Sequence, residues 1–485
     1  MRARYAGVIR AAALLGCILA ARAAEAKLVL DKIIVHGASK TSEGAVEARM
    51  RLHRGDVIEY GILGVAEDRL VASDLFQSVR VYLDTPRDWA VQLMYLSDQT
   101  YSIDVHVEVK EKHSWFIIPN FAVGGGDVAG GLVYADMNLA GTGSQLISAG
   151  QVGKLKSFGF VGFRDPIATF APITYSTAGI FRQETFLFYG NGPTKDDVVQ
   201  QVGTRIAGGE AQVGYVFSSH MKAIVGGMYN RQWLRNAEDK IAGYPEAKLY
   251  NAPAMGCTVS ATDATPAPEK FCNGENVVTL QLYFDYDRTI APEGLRRGAK
   301  VKLHNEVSDN FWGSDYDYAK LEFQGELYGY VAKTYPSVNF RTILNFPTSE
   351  RGVPLTQLLR LGGGDLRGYN VNQFNGDTLM VAQFEDQIPV IKGLKVPLTS
   401  VKLNLAVAGF VDVGALLDRH PGGRIDPLNP SAKSRPTLDD FHTSAGVGVR
   451  ILVPGVAIPA VKIDYGYGFD RGAGAIAISV AGGGL

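Results

Sequence analysis

The fold this sequence predicts is a transmembrane β-barrel of about sixteen antiparallel strands behind a small N-terminal α+β domain. Three observations point to it. Runs of roughly ten residues alternate apolar and polar side chains through most of the chain, the pattern of strands with one lipid face and one lumenal face. No run reaches the ~18 consecutive apolar residues of a membrane helix, and a closed barrel is the other structure that satisfies every backbone group inside a bilayer. The composition, 56 Gly with 22 Tyr and 22 Phe in 485 residues and a mean hydropathy of +0.01, suits such a sheet better than a soluble α/β enzyme. Charge is balanced at 48 basic against 49 acidic residues, so no strong field favours nucleic acid as a partner.

Residues 1–26 read as a secretory signal. Arg2 and Arg4 form the positive segment, Ala11 to Ala21 the apolar one, and Ala21-Arg22-Ala23 and Ala24-Glu25-Ala26 are both small-x-small cleavage sites. Leu14-Leu15-Gly16-Cys17 also matches a lipoprotein cleavage box, which would leave Cys17 lipidated. Ordinary signal cleavage leaves Cys257 and Cys272 as the remaining cysteines, expected to close one disulfide in an oxidising compartment. A metal site there would lack nearby histidines, and no metal or cofactor is expected.

Residues 27–112 read as a separate α+β domain. Leu28–Val35 is a strand, Thr41 or Ser42 caps a helix over Glu43–Met50, and Val57–Ser73 is a second helix. Strands follow over Leu75–Leu83 and Tyr101–Val109, the latter alternating through nine residues. His106 and His113 read as exposed strand residues. The β-α-α-β-β order, with its Asp74-Leu-Phe-Gln-Ser-Val-Arg-Val81 turn, resembles a POTRA domain. That resemblance implies a periplasmic module that receives client polypeptides on an exposed strand edge.

Residues 113–485 carry the alternating runs. In Tyr318–Tyr328, Ala319, Leu321, Phe323 and Leu327 oppose Lys320, Glu322, Gln324 and Glu326; in Val401–Val413, Lys402, Asn404 and Asp412 share the polar side. A soluble sandwich also alternates, but its polar face needs no systematic charge. Sixteen runs begin near residues 115, 128, 143, 155, 171, 203, 220, 276, 298, 316, 337, 377, 400, 441, 458 and 474. Counted this way, the odd-numbered connections are the long ones: 183–202, 231–275, 308–315, 347–376 and 414–440. In a barrel they face outward. The cysteine pair falls in the longest.

The stretch Leu361-Gly-Gly-Gly-Asp-Leu-Arg-Gly-Tyr369 lies in the loop after the eleventh strand. Taken alone it is a surface loop with a solvated arginine. Yet Glu385 and Asp412 fall downstream on the polar faces of adjacent strands, and an arginine fork suits paired carboxylates. Here the chain resembles the BamA and TamA superfamily of outer-membrane insertases and translocators. Arg367-Gly368-Tyr369 matches the family's Arg-Gly-Phe/Tyr motif on a sixth outer loop folded into the lumen. Phe410-Val-Asp-Val-Gly414 matches its Phe-x-Asp-x-Gly, Glu385 takes the acidic position of the twelfth strand, and Asp136-Met-Asn-Leu-Ala-Gly-Thr-Gly143 matches an early turn. The chain departs from the pattern in having room for one POTRA unit and in ending Ala481-Gly-Gly-Gly-Leu485 instead of in an aromatic residue.

That resemblance implies a bacterial outer-membrane protein, N-terminal domain in the periplasm, that inserts or translocates clients through a lateral seam between its first and last strands. The seam is expected around Phe116, Gly124 and Gly125 against Ile476 and Ile478, with glycines weakening the pairing. Lipid, an unfolded client barrel or exported protein, and accessory lipoproteins are the implied partners. The alternative is a passive pore or structural barrel. An enzyme is not expected: the eight histidines are scattered, and the Gly124–Gly131 cluster lacks the Lys-Ser/Thr of a nucleotide loop.

Overall fold

The computed structural model describes residues 27–480 apart from 60, 74, 84–99, 125, 166–171, 190–197, 219, 240–273, 292–293, 349–352, 377, 396–401, 418–439 and 454–460. Two compact units emerge, residues up to Ser114 together with 137–144, and the remainder.

In the first unit β1 (Lys27–His36), β2 (Phe76–Leu83) and β3 (Thr100–Glu111) form a sheet of order β1–β3–β2. Helix α1 (Glu43–Met50) is capped by Ser42, whose side chain accepts from the Ala45 amide. Val46 and Met50 of α1 and Ala66 and Leu70 of α2 (Ile62–Ala72) bury their side chains against Leu28, Leu30, Val105 and Val107 of the sheet. The sequence pattern extends α2 back to Val57; the structure corrects this. Asp56 and Ile58 instead bond along β1, Leu30 N donating to Asp56 O (2.9 Å) and Ile58 N to Leu28 O (2.8 Å), and backbone committed to a strand edge cannot also join a helix. The same bonds cover part of the outer edge of β1. Among the described residues β2 pairs on one side only.

Glu111 ends β3 under three successive backbone amides, those of Ser39 (3.0 Å), Lys40 (2.9 Å) and Thr41 (2.6 Å). Burial raises its pKa, and the hydrogen bonds of Ser39, Thr41 and Lys40 outweigh that and bring it down to about 2. Also within this unit, Asn138 accepts from the Gly143 amide (2.7 Å) and donates to the Thr41 hydroxyl (2.8 Å).

The second unit is a closed barrel of sixteen strands. They are β4 (Trp115–Gly124), β5 (Asp127–Leu139), β6 (Ser144–Gly153), β7 (Lys156–Asp165), β8 (Ile173–Tyr189), β9 (Val198–Ser218), β10 (Met221–Asp239) and β11 (Glu275–Asp287). Then come β12 (Gly298–Ser308), β13 (Tyr318–Tyr328), β14 (Tyr335–Pro347), β17 (Thr378–Lys395), β18 (Lys402–Leu417), β19 (Phe441–Leu452), β20 (Val461–Gly468) and β21 (Ala473–Val480). Between β14 and β17 lie two short strands outside the barrel wall, β15 (Leu359–Leu361) and β16 (Phe374–Gly376). Every barrel strand starts within five residues of its expected position. Two connections are shorter than the sequence pattern indicates, 190–197 and 240–274, because β8, β9 and β10 run to 17, 21 and 19 residues and keep pairing with one another.

Alternation sorts the wall. In β18, Asn404, Ala406, Ala408, Phe410 and Asp412 are buried while Val407 and Val411 are exposed. Leu280 and Leu282 of β11 and Leu321 of β13 join the exposed apolar band, the surface a bilayer requires. No described helix is long and apolar enough to cross a membrane. The connection between β14 and β17 leaves from one rim of the barrel. The opposite rim carries the shorter turns.

Candidate functional site

The 348–377 connection turns back into the barrel. β15 and β16 pair as a hairpin whose tip, 362–373, carries Arg367. Leu359, Leu361, Leu366 and Tyr369 of this connection form a small apolar core with Ile343 of β14 and Leu379 and Val381 of β17. Burying these side chains, at roughly 1.5–3 kcal/mol each, offsets the cost of ordering a long loop.

The structure brings Arg367 together with both carboxylates singled out in the sequence. Its Nε and Nη2 donate to the two oxygens of Asp412 (2.7 and 2.6 Å), its backbone amide adds a third bond to Asp412 (3.1 Å), and Nη1 donates to Glu385 (2.5 Å). The guanidinium lies 3.4 Å from the ring centroid of Phe410, a cation–π contact strengthened by exclusion of water. Arg367 is 4 % exposed and Asp412 fully buried. A charge so placed is tolerable only with such partners.

Gly368 explains why the motif needs glycine. Its φ is +95°, and a Cβ there would come within 3 Å of the backbone of Gly466 and Gly468 on β20. The reverse also holds, since a Cβ on Gly466 would meet Arg367 and Gly368 at 2.8 Å. The loop therefore lies directly on the backbone of β20, the close approach that glycine within a strand permits. Tyr369 sets its hydroxyl 3.0 Å from the Thr443 carbonyl oxygen and 3.1 Å from the Asp470 carboxylate.

Several members of the site were not evident in the sequence. Arg450 of β19, 1 % exposed, donates to both oxygens of Glu385 (3.1 and 2.8 Å) and lies 2.7 Å from Asp464 of β20. Lys462 reaches Asp464 at 3.3 Å, and Arg367 lies 3.7 Å from it. Three cations and three carboxylates thus interlock across β17, β18, β19, β20 and the loop. On the far wall, Arg360 of β15 donates to Glu184 of β8 (2.6 Å) and lies over the Phe186 ring at 4.1 Å, while Thr356 bonds Gln232 of β10. The loop is tied to opposite sides of the lumen. Alternation places Glu184 and Arg450 on inward faces, but no strand register links a wall to a loop crossing it. His442 is half-buried, stacked on Phe374 at 3.7 Å and 2.9 Å from Asp470.

At the seam, β21 and β4 close the cylinder through Ile478↔Val123, Ser479↔Ala122 and Val480↔Phe121. Gly124 lies against β21, where a Cβ would come within 2.9 Å of the Ala477 backbone. Phe116 and Ile476, also expected at the seam, stand on its two strands, β4 and β21, outside these three pairs. Phe116 pairs with Ala135 of β5 on its other side, and among the described residues β21 pairs as far as Phe121. Ile476 pairs with Tyr465 of β20 on its other side, and its carbonyl oxygen lies 3.2 Å from where a Cβ on Gly124 would sit. Gly125, Cys17, Cys257 and Cys272 lie outside the described residues. Among the described residues no cluster of His, Cys, Asp or Glu could hold a metal ion.

Comparison with known proteins agrees with this geometry. The model of the Omp85 superfamily domain matches residues 138–477. A crystal structure of BamA from Haemophilus ducreyi lacking POTRA domains 1-3 superposes with a TM-score of 0.64 at 16 % identity, over 93 % of this chain and 84 % of that one. CdiB from Acinetobacter baumannii superposes at 0.58 and 10 % identity, over 94 % and 74 %. At these identities the likeness is one of fold. A search of curated proteins finds no match.

Proposed function

The chain belongs to the Omp85 superfamily, and from that premise we propose that it inserts or translocates client polypeptides at the outer membrane through the β21–β4 seam. The observation that carries this is the seam itself. Among the described residues three positions pair there, against eight between β20 and β21 and ten between β4 and β5. A junction with few backbone pairs is where a client strand can add by edge pairing.

In this reading the N-terminal unit is a POTRA-type receiver in the periplasm and the outer edge of β2 takes the client, since residues 56–58 already occupy part of the β1 edge. The long-loop rim faces outward. The interlocked charges hold the loop across the lumen, which supports a sideways route over an axial one and counts against a passive open pore. The chain's own residues need supply no chemistry, only edges, a weak junction and a firm scaffold, so we assign no enzymatic step.

Comparison of the outer-membrane proteome before and after depletion of the protein tests the reading. Loss of a defined set of barrel or exported proteins is the expected result. An unchanged proteome with altered small-solute uptake would favour the pore.

A further inference from the structure

A second element enters the lumen, from the opposite rim. The connection between β11 and β12 reverses at the bridge Ile290↔Arg297, and its returning arm, Gly294–Gly298, leans inward. Leu295 of this arm is 2 % exposed and packs with Tyr335 of β14, Ala406 of β18 and Leu452 of β19. All three are inward-facing: Tyr335 alternates in step with Ser337 and Asn339, Ala406 with Asp412, and Leu452 with Arg450. In the barrel order β12 is separated from β18 by β13, β14 and β17. Leu295 therefore spans a chord of the lumen.

The arm is built to stay there. Arg296 donates to the Tyr328 hydroxyl (2.8 Å) and to Glu326 (3.3 Å). Arg297 donates to the Tyr335 hydroxyl (3.0 Å) and lies 4.2 Å over the Tyr330 ring. Gly298 makes the fold-back possible, with φ +111° and a Cβ position that would fall 2.1 Å from the Arg288 carbonyl oxygen. Between arm and loop lies a cavity of about 220 Å³, with Leu295 and Arg296 among its walls on one side and Arg367, Glu385 and Arg450 on the other. Its cations Arg296, Arg367, Arg450 and Lys462 are each matched by Glu326, Glu385, Asp412 or Asp464, so the cavity offers no net charge to an ion.

We propose that Gly294–Gly298 is a lid that screens the Arg367–Glu385–Arg450 network from water entering at the short-turn rim, and that displacing it is the built-in way to loosen the loop. The lid matters because charge pairs weaken several-fold as water raises the effective dielectric from about 20 toward 80. Salt screens hydrated pairs far more than buried ones. The inference stands on the geometry of the lumen and does not depend on client handling.

The test uses the full chain in proteoliposomes, with Cys257→Ser and Cys272→Ser and a reporter, Asn339→Cys, in the cavity wall. A charged, water-soluble methanethiosulfonate is applied from each side in turn. With the lid opened by Leu295→Ser, labelling from the short-turn side is expected to accelerate by about tenfold or more, the equilibrium worth of burying a leucine, and labelling from the long-loop side to stay the same. Leu295→Met should keep the slow rate. The unfolding temperature of the Leu295→Ser barrel should also fall as salt rises from about 0.1 M to about 1 M, while that of the unmodified lid holds steady. Equal labelling rates with and without Leu295→Ser, or acceleration from both sides alike, would overturn the lid. Should Leu295→Ser fail to fold, Arg297→Ala removes the Tyr330 and Tyr335 contacts from the rim instead and must give the same one-sided acceleration. A client-assembly defect with unchanged labelling would leave the proposed function standing and the lid refuted.

Discussion

The barrel wall under the loop and the seam are built to opposite specifications within one sheet. At β17, β18 and β20, Arg367 alone makes four charge-assisted hydrogen bonds, Arg450 adds two more, and glycines bring a second layer of chain onto the wall. At β21–β4, among the described residues, three positions pair. A polar network excluded from water is costly to break in any one place, whereas an edge with few backbone bonds opens at small cost. The difference assigns firmness to one sector and movement to the other.

Breaking the firm sector should have the largest effect. Arg367→Ala leaves Asp412 buried and uncompensated and takes from Glu385 one of its two arginines, so the folded barrel should lose on the order of 3–5 kcal/mol, read as a lower temperature for loss of the compact band on unheated gels. Glu385→Gln should cost less, about 1–3 kcal/mol, because Arg367 keeps Asp412 and Arg450 keeps Asp464; the same gel ranks the two. If Glu385→Gln proves the more damaging, the bond to Arg450 outweighs the bidentate pair with Asp412 and the contrast needs redrawing.

Smaller effects sharpen the picture. Arg360→Ala removes the tie to β8, but Glu184 keeps Arg182 at 3.5 Å, so a loss of about 1–2 kcal/mol is expected, with protease cleavage within the loop rising before the barrel melts. The smallest effect belongs to the N-terminal unit. Glu111 has a folded pKa of about 2 against an ordinary 4.5. Its contribution is therefore full above pH ~4.5 and fades as pH falls toward ~2. Glu111→Gln should cost under about 1 kcal/mol at neutral pH, given its exposure, and the gap from the unmodified chain should close on acidification, as followed by hydrogen exchange at Ser39–Thr41.

The barrel was legible because its signal is local and repeated: period two, strand after strand, with charge confined to one side. The partnership of Arg367 with Asp412 and Glu385 was legible for the same reason, since alternation states which way a strand residue points. What stayed hidden depends on paths that no period describes. The tie from Arg360 to Glu184 joins residues 176 positions apart through a loop without register. Leu295 reads as one more turn residue until the turn is seen to fold inward. The start of α2 was misplaced because Val57 and Ile62 share helical spacing, and nothing in that spacing reveals that β1 already holds the backbone of Asp56 and Ile58.

The central claim, that the seam is the moving part, has a direct measurement. Val123→Cys and Ile478→Cys face each other across the seam and, in a chain carrying Cys257→Ser and Cys272→Ser, can be oxidised to a lock and released by reductant. With an unfolded outer-membrane barrel protein as probe, its folding into proteoliposomes that contain the locked protein should fall to the rate of protein-free vesicles and recover on reduction. Folding at the unlocked rate with the lock fully oxidised would contradict the account.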